Sequence, residues 1–327
     1  MDGREFDAPG KCPACGMALI AKPADPPTPF EPKALAFGTG KFLIAGGLGR
    51  EAKRITVQYH RPRNHTPGSP ILLVVPGAGR NADSYRDAWI AAAYAYGVLV
   101  AALGYPEADY DFAAYQMGGV IKALQIANLP VGADGKPPAS VHLRDEDISF
   151  TANPQPQTWL FADFDRVFDL IVAATGSTLA RYDLFGHSAG GQILHRLALF
   201  RPSSRAGRIV AANAGLYTQP DLDLPQLMGM KDTGVTPAGL TASLACDLTV
   251  MLGALDNDGE EGGLQVHTPS LDRYGVDRGS RGRVFFQGGQ DRAKAMGVPC
   301  NWRLEVVPGV GHDYRAMGRA AARRLYG

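Results

Sequence analysis

Residues 183–194 read DLFGHSAGGQIL, an apolar run that passes through Gly-His-Ser-Ala-Gly into a stretch with helical spacing. A serine on so sharp a strand-to-helix turn needs small residues two positions to either side. Strand end, helix start and the serine's own backbone leave no room there for side chains. Gly186 and Gly190 meet that need. In a chain with 40 glycines the bare Gly-x-Ser-x-Gly pattern carries less weight than its flanks. Here a strand-like run precedes it and GGQILHRLALF follows as a helix, so Ser188 reads as a nucleophile rather than as a spacer in a tight turn.

A serine hydroxyl is a weak nucleophile at its ordinary pKa, so a base and a group that orients the base must follow, in the order Ser, Asp/Glu, His. His312 suits the base: EVVPGVGHDY ends a strand in a glycine-rich turn that carries an imidazole over the sheet edge. His60 and His65 precede the first central strand, His142 and His267 lie in loops, and His187 and His195 flank the serine turn itself. The acid is expected just past the preceding strand, where it accepts the other imidazole N–H and fixes the tautomer. LTVMLGALDNDGEE offers Asp256, with Asp258 and Glu260 close behind; the run lacks the full spacing of a calcium loop. The backbone N–H groups of Ala189, after the serine, and of Ala78, in VVPGAGRNADSY, are the expected oxyanion donors. The Gly-Ala-Gly there is not a phosphate loop, since no Lys-Ser/Thr follows it.

Working outward, short apolar runs at 54–60, 71–75, 97–103, 182–187, 208–213, 248–252 and 303–307 alternate with amphipathic segments at 82–96, 158–176, 189–200, 279–297 and 313–327. That alternation predicts an α/β fold with a mostly parallel, doubly wound sheet and helices on both faces. Two long stretches, 103–157 and 256–280, read as irregular. The first holds Tyr105, Tyr110, Phe112, Tyr115 and Phe150; Tyr105 and Tyr115, with Tyr217 further on, are the expected substrate-pocket residues. Residues 1–33 read as an appendage with a Cys-x-x-Cys turn and a proline-rich linker, and residues 34–327 as the catalytic domain. A net charge of +1, with no basic block interleaved with aromatics, speaks against a nucleic-acid partner. No apolar run is long enough to span a bilayer, and the first residues lack the pattern of an export signal.

With these residues in place, the chain from about residue 50 resembles the α/β-hydrolase superfamily. Within it, the likeness is to the poly(3-hydroxybutyrate) depolymerase-like and feruloyl-type esterase branch. PGAGRNADSYRDAW, GHSAGG, NAGLYTQPD, GALDND and NWRLEVVPGVGHDYRAM carry it. The resemblance implies a cofactor-free serine hydrolase, with Ser188, Asp256 and His312 at the triad positions, and an esterase acting on a small or polymeric ester is the leading expectation. Pro76 departs from the family, which more often has histidine before that glycine. A serine peptidase or amidase on the same fold, and a binding protein that keeps the fold without catalysis, are the alternatives. The roughly 33-residue appendage is too short for the propeller that peptidases of this fold commonly carry.

A second resemblance covers residues 9–22: PGKCPACGMALIAK is similar to the latter half of a short heavy-metal-binding motif of copper-handling proteins. Cys12 and Cys15 offer two thiolates, whereas a closed zinc site takes four ligands, so bound metal is not expected. Cys246 and Cys300 each stand just before a strand, and this fold makes those strands neighbours, so a disulfide between them is one expectation and two free thiols the other. A bridge would imply an oxidising compartment, periplasmic or extracellular.

Overall fold

The computed structural model describes residues 31–327, apart from residues 134, 136 and 258–263. Four strands come first: β1 (Gly38–Ala45), β2 (Arg54–Arg61), β3 (Ile71–Val75) and β4 (Leu99–Gly104). A long excursion carries β5 (Ile121–Ile126), β6 (Ser140–His142) and β7 (Ile148–Ala152). Then follow β8 (Tyr182–His187), β9 (Ala206–Ala212), β10 (Asp247–Gly253), β11 (Gln265–His267) and β12 (Arg303–Val307). Eight of these make one sheet in the order β1-β2-β4-β3-β8-β9-β10-β12. Every pair from β4 to β12 in that order is parallel, while β2 runs antiparallel to both β1 and β4. All seven apolar runs become strands of this sheet. The eighth, β1, begins Gly-Thr-Gly-Lys and sits at the edge, where half its length carries no apolar signal.

The helices are α1 (Ala82–Ala88), α2 (Ile90–Tyr96), α3 (Phe112–Tyr115), α4 (Phe161–Thr175), α5 (Ala189–Phe200), α6 (Pro237–Leu244), α7 (Pro269–Asp272), α8 (Arg278–Met296) and α9 (Tyr314–Tyr326). Successive residues of a strand face opposite sides, so the sheet feeds two cores. Leu73 and Val75 of β3 pack with Phe164, Val167 and Phe168 of α4, Leu194 and Leu197 of α5, and Phe285 of α8. Leu72 and Val74 face the other way, onto Tyr85 and Trp89 at the first helices and Met317 and Ala321 of α9. The single helix expected over 82–96 is two, because the chain breaks at buried Trp89, whose indole packs on Phe185.

The stretches expected to be irregular carry structure of their own. β5 and β7 pair antiparallel within the first, and β6 of the first pairs in parallel with β11 of the second. At the far edge, β10 and β12 pair with Thr249 opposite Arg303, which aligns the two cysteines at the strand starts. Cys246 and Cys300 are nevertheless free thiols, so the disulfide is not formed here. The Cys246 thiol turns instead toward the carbonyls of Ala242 and Ala198. No helix among the described residues is long and apolar enough to cross a membrane. The expected appendage, with Cys12 and Cys15, lies almost wholly outside the described residues.

Candidate active site

Ser188 stands between β8 and α5 with φ +58° and ψ −117°, a backbone conformation L-residues rarely adopt and one that stores strain. The neighbours explain the sequence around it. A Cβ on Gly190 would lie 2.0 Å from the Val75 carbonyl oxygen, and one on Gly186 would lie 2.4 Å from that of Gly190. No other residue type fits either place. The Ser188 N–H donates to the Ala212 carbonyl at 2.9 Å, which anchors the turn to β9. Ala189, at the first position of α5, has a backbone N–H with no carbonyl one turn earlier to bond within the helix.

His312 and Asp256 come from the turns that follow β12 and β10. His312 Nδ1 is 2.7 Å from Asp256 Oδ2, and Asp256 is 2% exposed. The His312 ring lies 4.5 Å, centre to centre, from that of His187, the residue before the serine, so the pair stands beside the turn. Asp258 and Glu260 lie outside the described residues. Arg278, at the first position of α8, donates from Nη1 to the second carboxylate oxygen of Asp256 at 3.0 Å; it too is buried. Sequence reasoning missed this arginine. Only the approach of α8 to the β10 turn brings it there.

The turns that carry Asp256 and His312 are laced together. Ala254 and Leu255 donate backbone N–H groups to the carbonyls of Val307 and Val310, at 3.0 and 2.9 Å. Asn213, fully buried after β9 with φ +47°, joins them through its amide: Nδ2 donates to the Gly311 carbonyl at 3.0 Å, and Oδ1 accepts from Gly253 N–H at 2.7 Å. It too was missed, although asparagine tolerates the left-handed region better than most residues. Asn213→Ala orphans one buried donor and one buried acceptor, at about 1–3 kcal/mol each. The expected outcome is a lower denaturation midpoint together with at least about a tenfold loss of kcat, as the two turns lose their common tie. Wild-type kcat in the folded variant would remove Asn213 from this role.

Ala78 lies in the loop after β3 and lines the same cleft as Ser188. The loop is held from behind. The Tyr115 hydroxyl donates to the Pro76 carbonyl at 2.7 Å, and the Arg80 guanidinium stacks 3.7 Å from the Tyr115 ring while donating to the Tyr105 and Tyr110 carbonyls. Tyr105, Tyr115 and Tyr217 are buried and do not line the cleft, which corrects the expectation that they shape the pocket. Tyr105 packs edge-on against Tyr110, and Tyr217 stacks on Phe285, so their rings fill the core rather than face solvent. The cleft, about 130 Å³, is lined instead by Phe112, Gln116, Gln192 and Leu216 on one side and by Leu264, Val266, Leu271, Arg278 and Arg281 on the other.

Two buried histidines beneath this site are held neutral. His195 Nδ1 bonds the Gly191 carbonyl at 3.1 Å, and its Nε2 accepts from Thr218 N–H at 3.0 Å; a second ring proton would face that N–H. Burial pushes the His195 pKa well down, helped by neighbouring Arg196. For His187 burial again leads, followed by the charge of His312. Both rings bind protons more readily in the unfolded chain than in the fold. Their contribution is therefore present above the ordinary imidazole pKa of about 6.5 and is lost as pH falls below it, by up to about 1.4 kcal/mol per pH unit for each. The urea midpoint is expected to fall between about pH 7.5 and pH 5.5. A flat midpoint across that range would contradict this.

Residues 1–22 match a family model described as a heavy metal binding domain. No curated protein matches the chain. Among solved structures, poly(aspartic acid) hydrolase-1 from Sphingomonas sp. KT-1 is 35% identical, over 90% of this chain and 100% of that one, with a TM-score of 0.75. The poly(3-hydroxybutyrate) depolymerase from Bordetella parapertussis is 29% identical, over 89% of this chain and 90% of that one, with a TM-score of 0.73. With this identity along nearly the whole chain, and a sheet whose central strand ends in a strained serine turn, the chain belongs to the α/β-hydrolase superfamily and is a hydrolase.

Proposed function

We propose that the chain is a serine esterase that cleaves a carboxylic ester through an acyl-enzyme on Ser188. The observation that carries this reading is the buried Asp256 carboxylate 2.7 Å from the half-buried His312 imidazole, beside a serine held at φ +58° on the end of a central strand. Ser188 Oγ attacks the ester carbonyl while His312 Nε2 takes its proton; the same proton goes to the departing alcohol as the C–O bond breaks. Asp256 holds the imidazole with Nδ1–H toward its carboxylate. The Ala189 and Ala78 N–H groups receive the oxyanion. Water then repeats the attack on the acyl-enzyme, with His312 as base, and frees Ser188. These steps need no cofactor. Labelling with a fluorophosphonate probe, together with turnover of p-nitrophenyl acetate, tests the reading: it requires a covalent adduct on Ser188 and ester turnover blocked by it. A chain that hydrolyses esters with Ser188 unlabelled would refute it.

A second reading, amide cleavage, has a specific observation in its favour. Arg278 and Arg281 line the cleft, and fully buried Arg196 lies behind it, donating to the Gln116 and Gln192 carbonyls at 3.0 Å. Burial pulls the Arg196 pKa down to about 9, which leaves it charged at neutral pH. Arg278 and Arg281 are paired with Asp256 and Asp272, which leaves the Arg196 charge to favour an anionic chain such as the one named for the Sphingomonas relative. Release of free ends from poly(aspartic acid), set against ester turnover by the same sample, separates the two readings.

A further inference from the structure

The β6–β11 ladder beside the cleft holds a group of side chains that the reaction does not use. In the parallel β6–β11 ladder His142 stands directly opposite His267, and their rings lie 4.5 Å apart at an interplanar angle of 17°. Asp272, which ends α7, reaches back so that its Oδ1 is 3.0 Å from His267 Nδ1. His267 is buried, Asp272 half-buried and His142 exposed. Each of the three offers one ligand atom, and these atoms lie within 4.8 Å of one another.

From this arrangement we infer that His142, His267 and Asp272 form a binding site for a divalent transition-metal ion of the zinc class. Two imidazoles and a carboxylate make the borderline donor set that zinc, copper and nickel take, whereas calcium and magnesium prefer oxygen alone. Donors at about 2.0–2.2 Å from a tetrahedral ion stand roughly 3.3 Å from one another. The His267–Asp272 separation is already close to that value. The remaining contraction falls to His142, whose exposed side chain is free to turn out of its near-parallel stack, with no shift of backbone. Its exposure also leaves the fourth position of the ion to water.

The site lies where an ion has structural work to do. A two-stranded ladder of three residues per strand is marginal alone, and this one joins the two excursions, the second of which lines the cleft with Leu264, Val266 and Leu271. Asp272 Oδ1 also accepts from Arg281 Nη2 at 3.1 Å, and Arg281 donates in turn to the carbonyls of Gly215 and Val266. Ion binding at Asp272 is therefore felt at a side chain that lines the same cleft as Ser188. The guanidinium charge opposes the cation, so binding is moderate rather than tight.

The test uses the full chain carrying Cys12→Ser and Cys15→Ser, so that those thiolates take no ion, dialysed against zinc chloride up to about 100 μM. About one zinc per chain is expected, with at least about tenfold weaker binding in His142→Ala and in Asp272→Asn. Because His142 is exposed, its variant keeps the fold, and zinc raises the thermal midpoint of the parent but not of this variant. No bound zinc in the double-serine parent would overturn the proposal. So would zinc that persists unchanged in His142→Ala, or that leaves only on His312→Ala.

Discussion

Replacing Ser188 with alanine is expected to lower kcat for an ester substrate by about 10³-fold or more, with a denaturation midpoint close to that of the parent. The two halves of this expectation have separate causes. Alanine keeps the Cβ and the same backbone, and the turn is held by the Ser188 N–H bond to Ala212 and by the absence of a Cβ on Gly186 and Gly190, none of which involves the hydroxyl. The oxygen that would join the acyl group is gone. What remains is catalysis by the oxyanion donors and by binding, which acts on water rather than on an enzyme-bound acyl group. The measurement is single-turnover kinetics beside urea denaturation. Wild-type turnover in a folded variant would end the assignment of Ser188 as nucleophile.

Asp256→Asn should come next in size, with a loss of about 10²–10⁴-fold in kcat and little change in KM. The geometry makes this variant informative. The Asp256 carboxylate lies between two donors, His312 Nδ1 on one oxygen and Arg278 Nη1 on the other. An asparagine has only one acceptor oxygen for these two places. If the oxygen stays on Arg278, the amide NH2 faces Nδ1 and drives the imidazole proton to Nε2, the atom that must be bare to take the serine proton. If the amide turns, two donors meet at Arg278 in a buried space, which costs stability instead. Either outcome separates Asp256 from its neighbour in the sequence: Asp258→Asn should leave kcat within about threefold of the parent. The reverse ranking would transfer the acid's role to Asp258.

The sheet was legible because each central strand is buried on both faces and so reads as an unbroken apolar run, as ILLVV does in β3. β1 was not, because an edge strand paired on one side needs no such run. Ser188, Asp256 and His312 stood out as candidates for a related reason. Each sits on a turn after a parallel strand of the sheet, and chain order restricts which turn carries which group. Arg278 and Asn213 have no comparable local signature. Their roles come from contacts between segments remote in the chain, Arg278 with the β10 turn and Asn213 with both the β10 and β12 turns. The tyrosines misled for the opposite reason: aromatic residues in a long loop suggest a pocket wall, but a ring stacked under Arg80 with its hydroxyl on Pro76 serves the loop from inside.

The β6–β11 ladder has a bearing on how the molecule is made. Its two strands lie on opposite sides, in the chain, of three strands of the main sheet, β8, β9 and β10 intervening with β7 and the helices between them. Closing so large a loop for three residue pairs is entropically poor unless the sheet has already drawn the ends together. The roof of the cleft therefore assembles last and opens first, as a unit of lower stability resting on a finished platform. A nascent chain that has formed its central sheet through β10 already holds the serine turn and both of its glycine contacts, yet it still lacks the cover under which a substrate would be held.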